Sequence, residues 1–272
     1  MISNTPLARA FWQDGRCREC PVIDVHGHLG DFYGIWFPRG AVEAMVHTMD
    51  QAGVRLLCLC PHASLFMPDV GNAALVEAVR QYPDRLRGYL AMNPNYPEQM
   101  ARDLARYDEY AAALVGLKVL PDYHRKAMDD AAYAPAWEFA DARGLLVLAH
   151  TWGGSVHNGE AQVRAVAGRY PRVKLLMGHS LHGAWDVAIA IAQEFPNVYL
   201  ELTAVLDDRG VVEQFVAAGL SQRILFGTDN PWFHPHHGIG TLLSADITDE
   251  DRHSILHRNA EKLLAGVGVY LT

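Results

Sequence analysis

The sequence predicts an α/β fold made of a single (β/α)8 barrel, and three observations support this prediction. Eight short apolar runs recur along the 272 residues, and a helical pattern follows each of them. No linker, low-complexity segment or block of charge divides the chain. We therefore predict one domain over residues 1–272, in which residues 1–20 form an N-terminal extension.

The predicted strands are almost wholly apolar, which is typical of parallel strands covered on both faces. In chain order they cover residues 21–26, 54–61, 86–93, 112–120, 144–150, 173–179, 197–203 and 223–229. Helical patterns cover residues 39–52, 71–82, 97–111, 132–143, 159–170, 183–194, 208–218 and 249–265. Several of these patterns end at a glycine or proline, and Gly53 is a candidate helix stop of this kind.

A doubly wound open sheet is the alternative fold, because a strand count read from sequence can be wrong by one or two. An open sheet that binds a dinucleotide has the pattern G-x-G-x-x-G after its first strand. The first predicted strand is followed instead by "HGHLGDFYG", which does not fit that pattern. The barrel is therefore favoured.

Charge and hydropathy limit the partners of the protein. The formal net charge is −8 and the sequence has no run of Lys or Arg, so we expect neither nucleic acid nor an anionic membrane as a partner. No apolar run approaches the ~18 residues of a membrane span, and the N-terminus lacks the apolar core of a signal peptide. We expect a cytoplasmic protein that acts on a small molecule, with homo-oligomerisation left open.

The four cysteines form the patterns Cys17-x-x-Cys20 and Cys58-x-Cys60. One C-x-x-C without a well-spaced second half is a weak indication of zinc. Cys58 and Cys60 lie in the strand-like run "VRLLCLCP", where cysteine behaves as a small buried hydrophobic residue. We expect all four to be structural.

Histidines and an aspartate stand at the ends of predicted strands, where a barrel assembles its active site. His26 and His28 end the first strand; the fifth, sixth and eighth end in His150, His179 and Asp229. Side chains at positions i and i+2 of a strand point to the same side, so the first two imidazoles can converge on one ion. With His150 and Asp229 they offer three nitrogens and one oxygen, which suits a catalytic zinc site with an open position.

The motifs "IDVHGHLG", "LKVLP", "LAHTWGG", "MGHSLHGAW", "NVYLEL", "FGTDNPW" and "HRNAEKLL" occur in this order between residue 21 and about residue 265. In these motifs the chain resembles the amidohydrolase superfamily, in particular the amidohydrolase-related branch. That branch contains metal-dependent hydrolases and non-oxidative decarboxylases such as aminocarboxymuconate-semialdehyde decarboxylase. The resemblance implies one divalent ion per chain, usually zinc, whose ligands are His26, His28, His150 and Asp229.

The resemblance also implies that His179 is the catalytic histidine. The branch often has His-x-Gly-Gly after the sixth strand, whereas this chain reads "HSLHGAW", so His182 competes for the role. His179 is preferred because it directly ends the strand. Glu201 and Thr203 alternate along the seventh strand and are candidates to support the site from behind, although Glu201 can equally pair with a neighbouring cation.

Lys118 ends the fourth predicted strand. In some superfamily members a lysine there is carboxylated and bridges two metals, with the sixth-strand histidine bound to the second. In the branch resembled here it is usually not a ligand, so we expect Lys118 to bind a substrate carboxylate. Trp152, Trp232 and Arg39 are the other predicted substrate-binding residues. Arg39 lies in the aromatic loop "GDFYGIWFPRG", a candidate lid, and "WFHPHHG" is expected to be another loop near the site.

The predicted reaction is hydrolysis of a small, carboxylate-bearing cyclic or conjugated substrate by a metal-activated water. Asp229 would be the general base, and His179 would stabilise the charge that develops on the attacked carbonyl. The same residues suit a metal-dependent non-oxidative decarboxylation, which is the alternative. A second alternative is a non-catalytic binding protein with a structural metal.

Overall fold

The computed structural model describes residues 4–271 and confirms the predicted barrel. Eight parallel strands lie in one sheet in the order of the chain, within the residues described. They are β1 Val22–Gly27, β2 Val54–Leu59, β3 Leu86–Ala91, β4 Leu114–Val119, β5 Leu146–Trp152, β6 Lys174–His182, β7 Val198–Glu201 and β8 Ile224–Leu225.

Backbone hydrogen bonds between the segment after β8 and β1 close the barrel. The N–H of Val25 donates to the carbonyl of Phe226 at 3.0 Å, and the N–H of Asp229 donates to the carbonyl of His26 at 2.7 Å. The N–H of His28 then donates to the carbonyl of Asn230 at 2.7 Å. These bonds bring the end of the last strand beside the two histidines of the first.

The helices lie between the strands and cover the barrel. They are α1 Pro6–Asp14, α2 Val42–Ala52, α3 His62–Phe66, α4 Pro68–Gln81, α5 Pro97–Ala105, α6 Pro121–His124, α7 Ala134–Arg143, α8 Glu160–Arg169, α9 Trp185–Glu194, α10 Val211–Ala217, α11 Pro235–Ser244, α12 Asp249–His253 and α13 Asn259–Ala265. Gly53 ends α2 in the left-handed conformation, as predicted. None of the helices within residues 4–271 is long and apolar enough to cross a bilayer.

Several predicted boundaries were wrong for local reasons. Residues Tyr107–Ala113 form a 3-10 helix, so the predicted helix 97–111 ends early and β4 starts at residue 114 rather than 112. The run 223–229 has only two residues in β8, since its later residues pair with β1 through single hydrogen bonds rather than a regular ladder. The expected loop "WFHPHHG" begins helix α11, because Pro235 occupies its first turn and His234 accepts a bond from the N–H of His236.

Candidate active site

The two histidines of β1 are both buried and both have a fixed ring orientation. His26 donates through Nδ1 to Oε2 of Glu201 at 3.0 Å, and His28 donates through Nδ1 to the carbonyl of Cys60 at 2.8 Å. Because each Nδ1 carries the proton, each Nε2 presents a lone pair, and that of His26 faces Nζ of Lys118 at 3.1 Å. The Nε2 atoms of His26 and His28 lie 3.4 Å and 3.1 Å from Oδ1 of Asp229.

Asp229 is held in place by its neighbours along the chain. Its φ is 58°, in the left-handed region that is costly for a residue other than glycine. The preceding Thr228 donates its backbone N–H to Oδ1 of Asp24 on β1 at 3.1 Å, and its hydroxyl donates to the other oxygen of that carboxylate. This anchoring turns the Asp229 carboxylate toward the histidines.

Within the described chain, the buried Oδ1 of Asp229 accepts no hydrogen bond. Its nearest nitrogens, Nε2 of His26 and of His28, present lone pairs and cannot donate to it. A buried polar atom without a partner is rare and requires an explanation. A cation would satisfy the carboxylate oxygen and both lone pairs together, so these three atoms fit a divalent metal.

His179 lies closest to this group among the remaining predicted residues. It joins His26 and Asp229 in a set whose ligand atoms all lie within 4.8 Å of one another. Its Nδ1 is 3.3 Å from the carbonyl of Thr203, which leaves Nε2 for a ligand or a substrate. His150 is not part of this set, but its ring centroid lies 4.6 Å from that of His179. Burial lowers the pKa of His179 to about 4, so its imidazole is neutral at pH 7.

The backbone at His179 is strained. His179, Ser180 and Leu181 have φ values of 65°, 48° and 53° in succession. The Ser180 hydroxyl donates to the carbonyl of Glu201 at 2.9 Å, and the N–H of Leu181 donates to Oγ1 of Thr151 at 3.1 Å. β6 continues to residue 182, beyond its predicted end at 179, because Trp152 of β5 pairs with His182 after an irregularity in the register.

Lys118 lies among the candidate ligands. Its Nζ is 3.1 Å from Nε2 of His26, and the side chain is buried. Burial lowers the pKa of the Lys118 amine below its usual value. Its contact with a substrate carboxylate stays a prediction.

The two predicted tryptophans border the site. Trp152 stacks on His182 with ring centroids 4.3 Å apart, and His182 in turn lies 3.9 Å from Asp208. His182 is therefore outside the cluster, whereas its competitor His179 is inside it. The Trp232 indole donates to Nε2 of His62 at 2.9 Å. Trp152 and Trp232 are 38% and 39% exposed, so each keeps a ring surface for a ligand.

The structure does not bring Arg39 to this cluster. Its exposed guanidinium donates to Oε1 of Gln51 at 3.2 Å on α2. Arg39 also lines a separate cavity of about 210 Å³ with Phe37, Pro231 and His234. Its place in the loop after β1 therefore does not make it a neighbour of the candidate ligands.

His62 is a member of the site that the sequence analysis missed. It stacks on His28 with ring centroids 4.6 Å apart, and its Nδ1 donates to the carbonyl of Gly30 at 2.8 Å. Burial lowers the pKa of His62 to about 3, so its ring is neutral and accepts the Trp232 bond. His62 follows β2 directly, and the strand-end rule applied to that strand would have found it.

Residues 23–265 match the sequence model of the family described as Amidohydrolase. The chain belongs to this amidohydrolase family. The chain is also 24% identical, over an alignment of 306 residues, to gamma-resorcylate decarboxylase from Polaromonas sp., with 93% of this chain and 90% of the relative covered. These matches confirm the superfamily resemblance, and they identify the protein as an amidohydrolase-superfamily enzyme.

Solved structures share the barrel of this amidohydrolase. An uncharacterised TIM-barrel protein from Bordetella bronchiseptica has a TM-score of 0.75 at 19% identity, with 91% of this chain and 99% of the other covered. A dihydroxybenzoic acid decarboxylase from Polaromonas sp., with bound manganese and the inhibitor 2-nitroresorcinol, has a TM-score of 0.73 at 20% identity, with 90% and 97% covered. At these identities the structural matches establish the common fold.

Proposed function

We propose that this amidohydrolase-family enzyme is a metal-dependent decarboxylase that releases CO2 from a small, hydroxylated aromatic or conjugated acid. The single observation that carries the reaction class is the nearly full-length match to gamma-resorcylate decarboxylase. It favours the decarboxylase alternative over the hydrolase that the sequence analysis placed first. The family match over residues 23–265 includes the ends of all eight strands, where the candidate ligands lie.

The donor set fits one divalent ion. We infer that Nε2 of His26, Nε2 of His28 and Oδ1 of Asp229 hold it, and that His179 or His150 completes the set. Imidazole and carboxylate donors suit both zinc and manganese, so the donor types do not select the zinc expected from the sequence. A divalent ion held by these residues would supply positive charge for binding an acidic substrate.

Asp229 is suited to move the proton that replaces CO2. Its Oδ1 lies 3.4 Å and 3.1 Å from Nε2 of His26 and of His28, and its carboxylate is the acidic group of this cluster. The carboxylate accepts the proton of a substrate hydroxyl and delivers it to the ring carbon that bears the carboxylate group. The C–C bond then breaks, CO2 leaves with the carboxylate oxygens, and the bonding pair restores the ring. A proton from solvent finally neutralises the product phenoxide.

His179 has a different role from the one expected for hydrolysis. Its ring is neutral at pH 7 and its Nδ1 faces the carbonyl of Thr203. The free Nε2 lone pair suits a metal ligand or an acceptor for a substrate hydroxyl, rather than a donor to a developing oxyanion.

Aromatic side chains around the site suit a flat substrate. Phe32, from the loop after β1, packs with ring centroids 5.3 Å from Trp232 and 5.8 Å from Tyr123. Trp152 lies nearly parallel to His150, with ring centroids 6.0 Å apart. Tyr33 and Trp36 at the tip of the same loop are largely exposed. Flat rings stack well on such partly exposed side chains.

The test is a product analysis in D2O with the manganese-loaded and zinc-loaded protein and 2,6-dihydroxybenzoate as the probe acid. We expect CO2 and 1,3-dihydroxybenzene that carries one deuterium at the carbon that lost the carboxylate. A matched panel of aryl esters, amides and lactones tests hydrolysis. Water incorporation from that panel, without CO2 from aromatic acids, would overturn the proposal in favour of hydrolysis. Metal binding without turnover on either panel would favour a binding protein.

A further inference from the structure

A second group of metal-ligating side chains lies at the other end of the barrel. One thiol and two imidazoles, those of Cys20, His253 and His257, offer ligand atoms within 4.8 Å of one another. Cys20 precedes the start of β1, whereas His26 and His28 stand at its end. A strand rises about 3.3 Å per residue, so six residues separate the two groups by ~20 Å. The second group is therefore independent of the candidate active site.

The two histidines have the spacing and orientation of a metal pair. Nδ1 of His253 lies 3.1 Å from Nε2 of His257. Two nitrogens bound tetrahedrally at ~2.0–2.1 Å from zinc are about 3.3 Å apart. His257 also donates through Nδ1 to Oε1 of Glu261 at 2.9 Å, so its Nε2 presents the lone pair that accepts from Nδ1 of His253. A carboxylate behind the histidine is the usual support of a zinc ligand.

The helix changes its winding between these histidines. Residues Ser254–Arg258 form a π turn between α12 and α13. Such turns occur frequently at functional sites, because they shift side chains relative to a regular helix. Here the π turn directly follows His253 and contains His257.

The cysteines supply the other half of the pattern. The N–H of Cys20 donates to the carbonyl of Cys17 at 3.2 Å, which forms a tight turn with both cysteines on it. Both are buried free thiols. Cys-x2-Cys followed by His-x3-His is the ligand spacing of a structural zinc site. The C-x-x-C therefore has the second half that the sequence analysis did not recognise.

We propose a structural zinc site, separate from the catalytic metal, whose four ligands are Cys17, Cys20, His253 and His257. The ion joins the segment that enters β1 to the C-terminal helices, and so ties the two ends of the chain together at the bottom of the barrel. A cavity of about 710 Å³ is lined by both cysteines.

Cobalt(II) is the probe, because thiolate bound to cobalt gives a near-ultraviolet charge-transfer band. The candidate ligands of the active site include no thiol, so the band reports only the second site. The full-length protein is reduced, stripped with a chelator and titrated with cobalt(II). Because the active site also takes up cobalt, we expect the band to reach its maximum by two added equivalents, with an intensity that corresponds to one thiolate-bound cobalt per chain, and to disappear on addition of zinc. A titration without the band, in protein whose four thiols are shown to be free, would overturn the proposal.

Variants of the proposed ligands test whether these residues produce the cobalt–thiolate band. Cys20→Ser and His257→Gln should each lose the band, and each as-purified variant should hold one fewer equivalent of zinc than the wild type. Cys58→Ser is the matched control: it removes a buried thiol of β2 and should keep both the charge-transfer band and the zinc content of the wild type. Retention of the band in both ligand variants would overturn the assignment. Isolation of the native protein with a Cys17–Cys20 disulfide would also contradict it.

Discussion

Glu201→Gln tests how the site orients its first histidine. The buried Glu201 carboxylate accepts four hydrogen bonds. Oε2 accepts from Nδ1 of His26 at 3.0 Å and from the N–H of His179 at 3.1 Å. Oε1 accepts from the N–H and the hydroxyl of Thr203 at 2.7 Å and 2.6 Å. Burial alone would raise the pKa of Glu201, but His26 and the other donors lower it below its usual value, so the group is ionised.

Glutamine has the shape of glutamate but only one accepting oxygen. Its NH2 group must face either the His26 side or the Thr203 side, so donors on that side lose their acceptor. An unsatisfied buried donor costs ~1–3 kcal/mol, and two therefore cost ~2–6 kcal/mol of unfolding free energy. If the NH2 faces His26, the ring is driven to carry its proton on Nε2, which removes the ligand lone pair. Loss of such support typically weakens metal affinity 10–100-fold, or ~1.4–2.8 kcal/mol.

The assay is competition for zinc with a chelator of known affinity, together with thermal unfolding of the metal-free protein. We expect Glu201→Gln to weaken metal affinity at least ~10-fold. Thr203→Val is the matched control, because it removes a single donor to Oε1 and leaves the His26 bond intact. Equal metal affinity together with equal unfolding free energy in wild type and Glu201→Gln would refute the orientation of His26 through Glu201, because either placement of the NH2 group costs one of the two.

Three other predictions concern the proton carrier, the substrate wall and pH. Asp229→Asn should lower kcat for CO2 release by at least ~100-fold in metal-saturating assays, and near wild-type turnover would contradict its role in proton transfer. Trp152→Leu should raise KM for an aromatic acid several-fold with a smaller change in kcat, whereas an unchanged KM would place the substrate elsewhere. Burial lowers the pKa of His124 to about 4, so the unfolded chain binds its proton first as pH falls below ~6.5. Unfolding free energy should therefore fall between pH ~6.5 and 4, by up to ~3 kcal/mol from this residue. Urea titrations at several pH values should show that the unfolding free energy of His124→Phe falls less steeply with decreasing pH than that of the wild type. An identical pH dependence would contradict the contribution of His124.

The barrel and much of the site follow from local patterns. Parallel strands covered on both faces are apolar at nearly every position, so eight apolar runs in the sequence predicted the eight strands. The ends of these strands then predicted the position of the active-site residues. His26, His28, His179 and Asp229 do lie together in the structure, because the carboxyl ends of the strands meet at one edge of the barrel.

The rest depends on contacts between distant parts of the chain. The strand-end rule locates His62 after β2, but the stacking of its ring on His28 depends on the packed barrel. The position of Arg39 in a lid-like loop indicated a role in the site. In the structure, however, its guanidinium donates to Gln51 of α2, a contact that the loop sequence alone does not predict. Cys20 and His253 lie near opposite ends of the chain, so their proximity has no signature in either segment alone.

The most direct test of a catalytic metal at the strand ends is an anomalous difference map from crystals grown with zinc. We predict a peak about 2.0–2.2 Å from Nε2 of His26, Nε2 of His28 and an oxygen of Asp229. This peak should persist in Cys20→Ser crystals, because the two sites are independent. No peak at these three atoms in fully metal-loaded crystals would contradict the metal-dependent mechanism.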